Sequence, residues 1–237
     1  MRFSSAPAFD KLMQEVVACR RCPRLREYCE HVGEIRRRAY RDWNYWTKPV
    51  PSLGDPKARL LVIGLAPAAH GGNRTGRIFT GDRSGDFLFR ALYETGFASQ
   101  PESVSRDDGL KLTGAYVTAA VRCAPPGNKP LPQEFRNCRT YLERELDLLK
   151  DLRVVVVLGR AAFGAYLAIL RDRGGLARRP AFVFAHGKEY HTAPGAPVLI
   201  CSYHPSQQNT FTGKLTAAML SQVFARAARL ASPPSSA

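Results

Sequence analysis

The sequence has few acidic residues relative to basic ones, and this imbalance indicates which kinds of molecule the protein can bind. Only 20 Asp and Glu accompany 35 Lys and Arg in 237 residues, which leaves a formal net charge of +15. The excess is spread along the chain rather than confined to a tail. A basic folded domain most often meets a polyanion such as nucleic acid. A genome that favours arginine would give the same composition, so charge alone names no partner.

Long apolar runs are also missing. No segment approaches the roughly 18 apolar residues that a transmembrane helix needs, so we expect no membrane partner. The N-terminal stretch MRFSSAPAFDKLMQEVVACRRC has charges within its apolar part and no small-residue cleavage site. It therefore does not look like a secretory signal, and we expect a cytoplasmic protein.

Signatures of several common enzyme classes are absent as well. The stretch GLAPAAHGG, which begins at Gly64, matches neither GxGxxG nor GxxxxGK[ST], and this argues against a dinucleotide or nucleoside triphosphate site. No Ser or Cys sits on an elbow of the GxSxG type. No His, Asp and Glu residues have the spacing of a metal site. The chemistry must therefore come from residues that are brought together by the fold.

Six cysteines are present, and in the cytoplasm their thiols are normally reduced, so disulfides do not explain them. Four of them are spaced to share one metal centre: Cys19, Cys22, Cys123 and Cys138. Four sulfurs suit either zinc or an iron–sulfur cluster, and the spacing does not choose between the two. Cys29 follows closely enough to replace a ligand, whereas Cys201 lies in an apolar strand and is expected in the core.

The pattern of apolar segments predicts the fold class. Four continuous apolar runs predict buried strands at 60–63, 115–121, 153–159 and 198–203. Helices are predicted at 8–18, 25–32, 82–96, 132–149, 161–170 and 215–230, and a hairpin at 182–192 that turns at Gly187. Strands that alternate with helices imply a three-layer α/β/α sandwich around a mostly parallel four-stranded sheet. We expect one domain over residues 1–230 and a disordered tail over 231–237.

Parallel strands end at a common edge, and three polar loops should meet there. They follow the strands that end near Gly64, Val121 and Tyr203. The polar and aromatic side chains that they bring together are His70, Asn73, Phe79, Asp82, Asn128, His204, Ser206 and Asn209. This set suits a flat polar heterocycle, such as a base taken out of a nucleic acid stack. The Arg- and aromatic-rich segment 36–55 could also contact nucleic acid, or it could be an ordinary loop pinned by its tryptophans. His186 and His191 are expected at the surface of the hairpin.

Three motifs carry a family resemblance. GLAPAAHGGNRTGRIFTGD at 64–82, TAAVRCAPPGNKPLP at 118–132 and SYHPSQQNT at 202–210, together with the cysteine spacing, resemble the family 5 (type b) uracil-DNA glycosylases. The match extends from Cys19 to about Leu230. The resemblance implies a [4Fe-4S] cluster held by Cys19, Cys22, Cys123 and Cys138. It also implies removal of uracil from DNA, with tolerance of other deaminated bases such as hypoxanthine, by a protein that joins the nucleoid during repair.

The resemblance also assigns roles to positions. Phe79 would stack on the flipped base, and His204 would donate a hydrogen bond to the uracil oxygen as negative charge moves onto the base. Asp82 and Asn128 would place or polarise water or contact the base. The remaining positions are expected to line the base pocket or to contact DNA. The pocket positions are Gly64, Leu65, Ala66, His70 and Ser206, and the DNA-contacting positions are Arg74, Gln207 and Asn209.

Apolar residues mark a departure from related glycosylases. Relatives of other families carry Glu, Asp or Asn at or just after Leu65 and an Asn near Ala119. Strong water activation from the first motif is therefore excluded, and an apolar wall discriminates bases less strictly. We expect a dissociative mechanism with late water attack, in a monomeric and monofunctional enzyme without lyase activity. The alternatives are a zinc-containing nucleic-acid-binding module without catalysis and an ordinary nucleotide or sugar-phosphate enzyme.

Overall fold

The computed structural model describes residues 7–176 and 182–232. Its helices are α1 (Pro7–Val17), α2 (Pro23–Ile35), α3 (Gly72–Thr75), α4 (Arg83–Glu94), α5 (Pro132–Leu148), α6 (Arg160–Asp172), α7 (Gln207–Phe211) and α8 (Ala217–Ala231). Its strands are β1 (Leu53–Gly54), β2 (Leu60–Gly64), β3 (Ala115–Ala119), β4 (Val154–Leu158), β5 (Glu189–His191) and β6 (Val198–Ser202). Short 3-10 turns cover Arg38–Tyr40 and Pro126–Asn128.

The strands form one sheet in the order β1-β3-β2-β4-β6-β5. The four central strands run parallel, as the apolar runs predict. The sheet has six strands rather than four, because β1 and β5 add short antiparallel edges. The predicted hairpin is wrong in its first half: only β5 is a strand, and it pairs with β6 rather than with 182–185.

Helices cover both faces of the sheet, which confirms the three-layer α/β/α sandwich. Alternate residues of β2 point to opposite faces. Leu60 and Val62 pack against α4 and α8, while Leu61 and Ile63 pack against α1, α5 and α6. Both faces of the central strands are therefore buried, which explains why these strands read as continuous apolar runs.

The last helix ends close to the predicted boundary. Ala231, the first residue of the predicted tail, is the last residue of α8 and packs into the core. Residues 233–237 lie outside the described part of the chain. No helix within residues 7–176 and 182–232 combines the length and the apolar character needed to cross a membrane.

Candidate active site

An aromatic ring and an imidazole meet at the carboxyl edge of the sheet. The rings of Phe79 and His204 lie 5.9 Å apart between centroids and are inclined by 30°. Phe79 comes from the loop after β2 and His204 from the loop after β6, which are separated in the sheet by β4. A Cβ atom at Gly64 would lie 2.5 Å from Cζ of Phe79, so the missing side chain of Gly64 makes room for the ring. The structure thus brings three of the expected pocket residues together.

The backbone of Phe79 is held in an unusual conformation. Its φ is +51°, a left-handed value that is rare for an aromatic residue and costs free energy. The neighbouring chain is fixed by the buried guanidinium of Arg77, which donates from Nε to Thr80 Oγ1 at 2.9 Å and from Nη2 to Ser103 Oγ at 2.8 Å. The same group forms a bidentate ion pair with Asp108 at 2.8 and 2.6 Å. We call Arg77, Thr80, Ser103 and Asp108 the Phe79 clamp.

Sequence reasoning missed the Phe79 clamp. Arg77 and Thr80 lie in the first motif, but Ser103 and Asp108, up to 31 residues further along the chain, belong to no recognisable motif. The one available signal was the glycine at position 85. A Cβ atom there would collide with the carbonyl oxygen of Phe79, so that glycine is required by the strained backbone.

Asp82 lies at the start of α4. It is the N-cap residue, and its Oδ1 accepts a hydrogen bond from the backbone N–H of Gly85 at 3.0 Å. Its Oδ2 points at Gly71, where a Cβ atom would collide with it. Burial raises the pKa of Asp82, although the N–H groups of Gly85 and Ser84 partly offset this effect. A carboxyl with a raised pKa and one oxygen free of the cap can act on water as a base.

His204 is half-buried and uncharged at neutral pH. Burial lowers the pKa of its imidazole to about 4. Its backbone carbonyl accepts a hydrogen bond from Nδ2 of Asn209 at 2.8 Å. The preceding residue, Tyr203, donates its N–H to Nδ1 of His186 at 3.1 Å, and the two rings stack 5.1 Å apart. His186 is therefore a support of the His204 loop rather than a free surface residue.

The chain after His204 turns at once into α7. Ser206 caps this helix by accepting the N–H of Asn209. The side chain of Gln207 is exposed, as a DNA contact requires, whereas the side-chain amide of Asn209 is engaged with the His204 carbonyl. Phe211 at the end of α7 is 65% exposed, and the guanidinium of Arg83 lies 4.5 Å from its ring centre.

His70 and Arg74, on the loop after β2, pack against aromatic residues of the segment between α2 and β1. Nδ1 of His70 lies 3.0 Å from the hydroxyl of Tyr45, and burial together with nearby arginines lowers the pKa of His70. Arg74 is only 3% exposed, because its guanidinium lies between the rings of Tyr40 and Trp43, 3.9 and 4.1 Å from their centres. This burial does not fit the expected contact of Arg74 with DNA.

The second motif, at 118–132, contacts the first motif mainly through its backbone. The carbonyls of Gly64 and Leu65 accept the N–H groups of Ala120 and Val121 at 3.0 Å, so β2 and β3 stay paired beyond their ends. Asn128 follows in an exposed 3-10 turn with a φ of +57°. Its backbone N–H donates to the carbonyl of Pro125 at 3.1 Å, and its role at the base stays a prediction.

The cysteines gather beside the pocket. Cys22, Cys29, Cys123 and Cys138 share one buried cluster, and Cys19 lies at the edge of the neighbouring one. Burial raises the pKa of the Cys138 thiol to about 12. Asn137 donates to Sγ of Cys22 at 3.4 Å, and Sγ of Cys29 lies 3.6 Å from the carbonyl oxygen of Ala124. Cys201 is fully buried in β6, as expected.

The cysteine cluster is not arranged as a finished metal site. Within residues 7–176 and 182–232, no group of three or more His, Cys, Asp or Glu side chains is placed to hold a metal ion. The donor set nevertheless fits a sulfur-ligated centre in kind, because three of the four predicted ligands, Cys22, Cys123 and Cys138, belong to one cluster. Ala66 and Ala69 of the pocket loop pack on this cluster, and Nδ2 of Asn73 donates to the Cys29 carbonyl at 3.2 Å.

A buried ion pair fixes the chain beside Cys123. The guanidinium of Arg122 lies 2.5 Å from Glu145 of α5, and both side chains are at most 2% exposed. Glu145 also accepts a hydrogen bond from Thr118 on β3 at 2.8 Å. Removing one partner of such a pair would leave a buried charge without a counterion, which costs free energy. The ion pair therefore holds the second motif against α5.

Comparison with known proteins identifies the class to which this fold and site belong. The family model of the uracil DNA glycosylase superfamily matches residues 51–228, about three quarters of the chain. These residues include Phe79, Asp82 and His204. The chain therefore belongs to that superfamily, and its α/β/α sandwich is consistent with it.

Individual relatives narrow the assignment. A type-5 uracil-DNA glycosylase of Thermus thermophilus is 53% identical over 94% of this chain and 98% of its own length. Another, from Pyrobaculum aerophilum, is 47% identical over 93% and 92% of the two chains. A type-4 enzyme of Sulfurisphaera tokodaii is 27% identical over 65% and 55%. The chain belongs to the type-5 uracil-DNA glycosylases, and it is a monofunctional DNA glycosylase that hydrolyses N-glycosyl bonds.

Proposed function

We propose that this protein removes uracil from DNA and leaves an abasic site. The observation that carries the proposal is the meeting of Phe79 and His204 at the sheet edge, 5.9 Å apart. At this separation one nucleobase can contact both side chains, with its face on the phenyl ring and a polar edge near the imidazole. A base can reach such a pocket only after it has left the duplex stack.

Charge development on the base explains the role of His204. As the N-glycosidic bond breaks, the sugar becomes oxocarbenium-like and the bonding electrons move onto the base. The neutral imidazole then donates a hydrogen bond to the uracil oxygen that carries the new charge. Because burial holds the pKa of His204 near 4, the ring acts as a hydrogen-bond donor and not as a general acid at neutral pH.

Water attacks the sugar late in this scheme, and Asp82 assists it. One carboxylate oxygen is occupied by the helix cap, while the other faces the gap at Gly71. A buried carboxyl whose pKa is raised accepts a proton from water more readily than an exposed one. Asn128 lies in an exposed turn after β3, and its contact with the water or the base stays a prediction.

Hypoxanthine and other deaminated bases are proposed as further substrates. The positions at the ends of β2 and β3 that are expected to face the base are apolar: Leu65, Ala66 and Ala119. A wall without hydrogen-bonding groups discriminates weakly between bases that differ in their exocyclic atoms. The range of bases is therefore expected to exceed uracil.

We also propose a [4Fe-4S] cluster held by Cys19, Cys22, Cys123 and Cys138. Such a centre would supply structural crosslinking and no chemistry at the base. The residues of this chain then do the positioning. The cysteines tie the start of α2 to α5 and to the second motif, and Ala66 and Ala69 rest on them. Cys29 is not needed as a ligand, although its contact with the Ala124 carbonyl keeps it in the same cluster.

Excision from a panel of oligonucleotides, each with one modified base, tests the assignment. Cleavage by alkali after incubation reveals abasic sites. His204→Ala should lower the rate of uracil excision by about 100- to 1,000-fold, because one donor to a developing anion is lost. His191→Ala is the matched control, since His191 is exposed on β5, away from the pocket edge.

Two outcomes would contradict the proposal. If His204→Ala excised uracil at the rate of His191→Ala, the donor role of His204 would be wrong. If the parental protein bound DNA but cleaved no member of the panel and contained zinc, it would be a nucleic-acid-binding module without catalysis.

A further inference from the structure

The segment that links α2 to β1 carries a dense group of positive charges. Arg37, Arg38, Arg41 and Lys48 are exposed, and we call them the basic rim. We propose that the basic rim binds backbone phosphates of DNA next to the extruded nucleotide. The proposal rests on the proposed removal of a base from DNA. Its structural support is the attachment of this segment to the active-site loop and the free charges of the segment.

Backbone hydrogen bonds attach the segment to the active-site loop. The N–H groups of Trp46 and Thr47 donate to the carbonyls of Arg74 and Asn73, both at 3.0 Å. The hydroxyl of Tyr45 lies 3.0 Å from Nδ1 of His70 on the same loop. The segment is thus joined to the active-site loop and is not a separate surface loop.

The side chain of Arg74 connects the active-site loop to the segment between α2 and β1. Its Nε donates to the carbonyl of His70 at 2.7 Å and its Nη2 to that of Gly81 at 2.8 Å. The face of its guanidinium is covered on the other side by Tyr40 and Trp43. Cation–π contacts of this kind gain strength when they are desolvated, as they are here at 3% exposure. The segment that carries the basic rim is therefore fixed to the active-site loop.

The charges of the basic rim are available to a ligand. Arg36 is engaged within the segment, because it donates to the carbonyls of Gly33 and Arg41. No ion pair involves Arg37, Arg38, Arg41 or Lys48 in the described chain. Two cations lie near the ring of Trp46 in the same segment. Nζ of Lys48 is 5.7 Å and the guanidinium of Arg106 is 4.9 Å from the ring centre.

The position of these charges identifies the partner. Phosphates on either side of an extruded nucleotide must lie at the mouth of the pocket, and Lys and Arg side chains at that mouth neutralise them. Each phosphate contact releases counterions, so it contributes to the salt dependence of binding. The basic rim would therefore fix the register of the DNA without reading its sequence.

Salt-dependent binding tests the proposal. Affinity for a duplex with one abasic-site analogue is measured by fluorescence anisotropy between about 50 and 200 mM salt. The double variant Arg37→Gln/Arg38→Gln is compared with Lys57→Gln/Lys150→Gln, which loses the same charge. Lys57 and Lys150 are exposed just before β2 and β4, at the opposite edge of the sheet.

The expected result is a change in slope that is specific to the basic rim. The slope of log affinity against log salt should become shallower by about 0.9 for each phosphate that is no longer neutralised, so by about 1.8 if both arginines bind phosphates. The control pair should leave the slope close to that of the parental protein. Equal slopes for both double variants, or no change in either, would overturn the assignment, because the arginines would then act only through net charge or not at all.

Discussion

Breaking the Phe79 clamp should lower both the free energy of unfolding and the rate of uracil excision, and the two effects can be measured separately. Arg77 is 5% exposed, and its guanidinium is saturated by Thr80, Ser103 and both oxygens of Asp108. Asp108 also accepts the backbone N–H groups of Val104 and Leu110 at 2.9 and 3.0 Å. Replacement Asp108→Asn keeps the size of the side chain but removes its charge, so the buried guanidinium loses its counterion.

The loss of stability expected for Asp108→Asn can be worked out from the pKa of Asp108. Burial by itself would raise its pKa, but hydrogen bonds from Arg77 and the backbone outweigh burial and lower the pKa to about 2. Relative to an ordinary value near 3.8, this corresponds to about 2 kcal/mol of stability at pH 7. Because the folded pKa is depressed, the contribution is present above about pH 4 and is lost as the pH falls through about 2.

The assay is urea unfolding followed by tryptophan fluorescence, with Asp107→Asn as the control. Asp107 is the next residue, yet its side chain is 85% exposed and contacts Arg106 only at 3.7 Å. Asp108→Asn should lose about 2 kcal/mol at pH 7, and its deficit relative to the parental protein should shrink below about pH 4. Asp107→Asn should change stability by less than about 0.5 kcal/mol.

Catalysis gives a second readout of the same variant. If the clamp holds Phe79 at its positive φ, then removal of the clamp lets the strained backbone relax and moves the ring. Uracil excision by Asp108→Asn should fall by about tenfold at a temperature where the protein is fully folded. A variant that is as stable and as active as Asp107→Asn would refute the reasoning. A variant that is less stable but fully active would show that the clamp supports the fold and not Phe79.

Two further changes test the pocket and the cysteines. Gly64→Ala places a methyl group 2.5 Å from Cζ of Phe79, which should destabilise the fold by about 1–3 kcal/mol and displace the ring. Uracil excision should then fall about ten- to a hundredfold. Gly164→Ala in α6, where a Cβ meets open space, should leave the excision rate unchanged. Cys138→Ser should remove the iron content and the brown colour expected of the purified protein, because a predicted ligand is lost. Cys201→Ala, in the core, should retain both. A parental protein that is colourless and contains zinc would contradict the iron–sulfur proposal.

The sheet was largely predictable because its central strands are buried on both faces. Such strands read as short uninterrupted apolar runs bounded by turn residues, a pattern that favours a buried strand. The edge strands carry no such signal, since β1 has two residues and β5 has three. The predicted hairpin failed for a related reason. Phe182 and Phe184 pack beside Tyr190, whose hydroxyl bonds the backbone of Val183, so an irregular segment imitates the alternation of a strand.

The site was predictable only as far as its motifs reach. Phe79, Asp82 and His204 lie in recognisable stretches next to strand ends, and the parallel sheet brings two of them to one edge. The burial of Arg74 depends on Tyr40 and Trp43, which precede it by about thirty residues. An arginine in a polar loop normally lies at the surface, and only the fold can show that two aromatic rings enclose it.

The glycines of the first motif explain why its sequence matches no phosphate-binding pattern. In a phosphate loop, absent side chains let a ligand approach the backbone. Here the space at Gly64 is filled by the ring of Phe79 and the space at Gly71 by the Asp82 carboxylate. Just after the motif, the space at Gly85 is filled by the Phe79 carbonyl. The gaps are occupied by groups of the same chain, so they shape the pocket rather than receive a ligand. Because each gap admits one particular neighbour, the stacking ring and the carboxylate are positioned before any DNA arrives, and binding need not supply the free energy to order them.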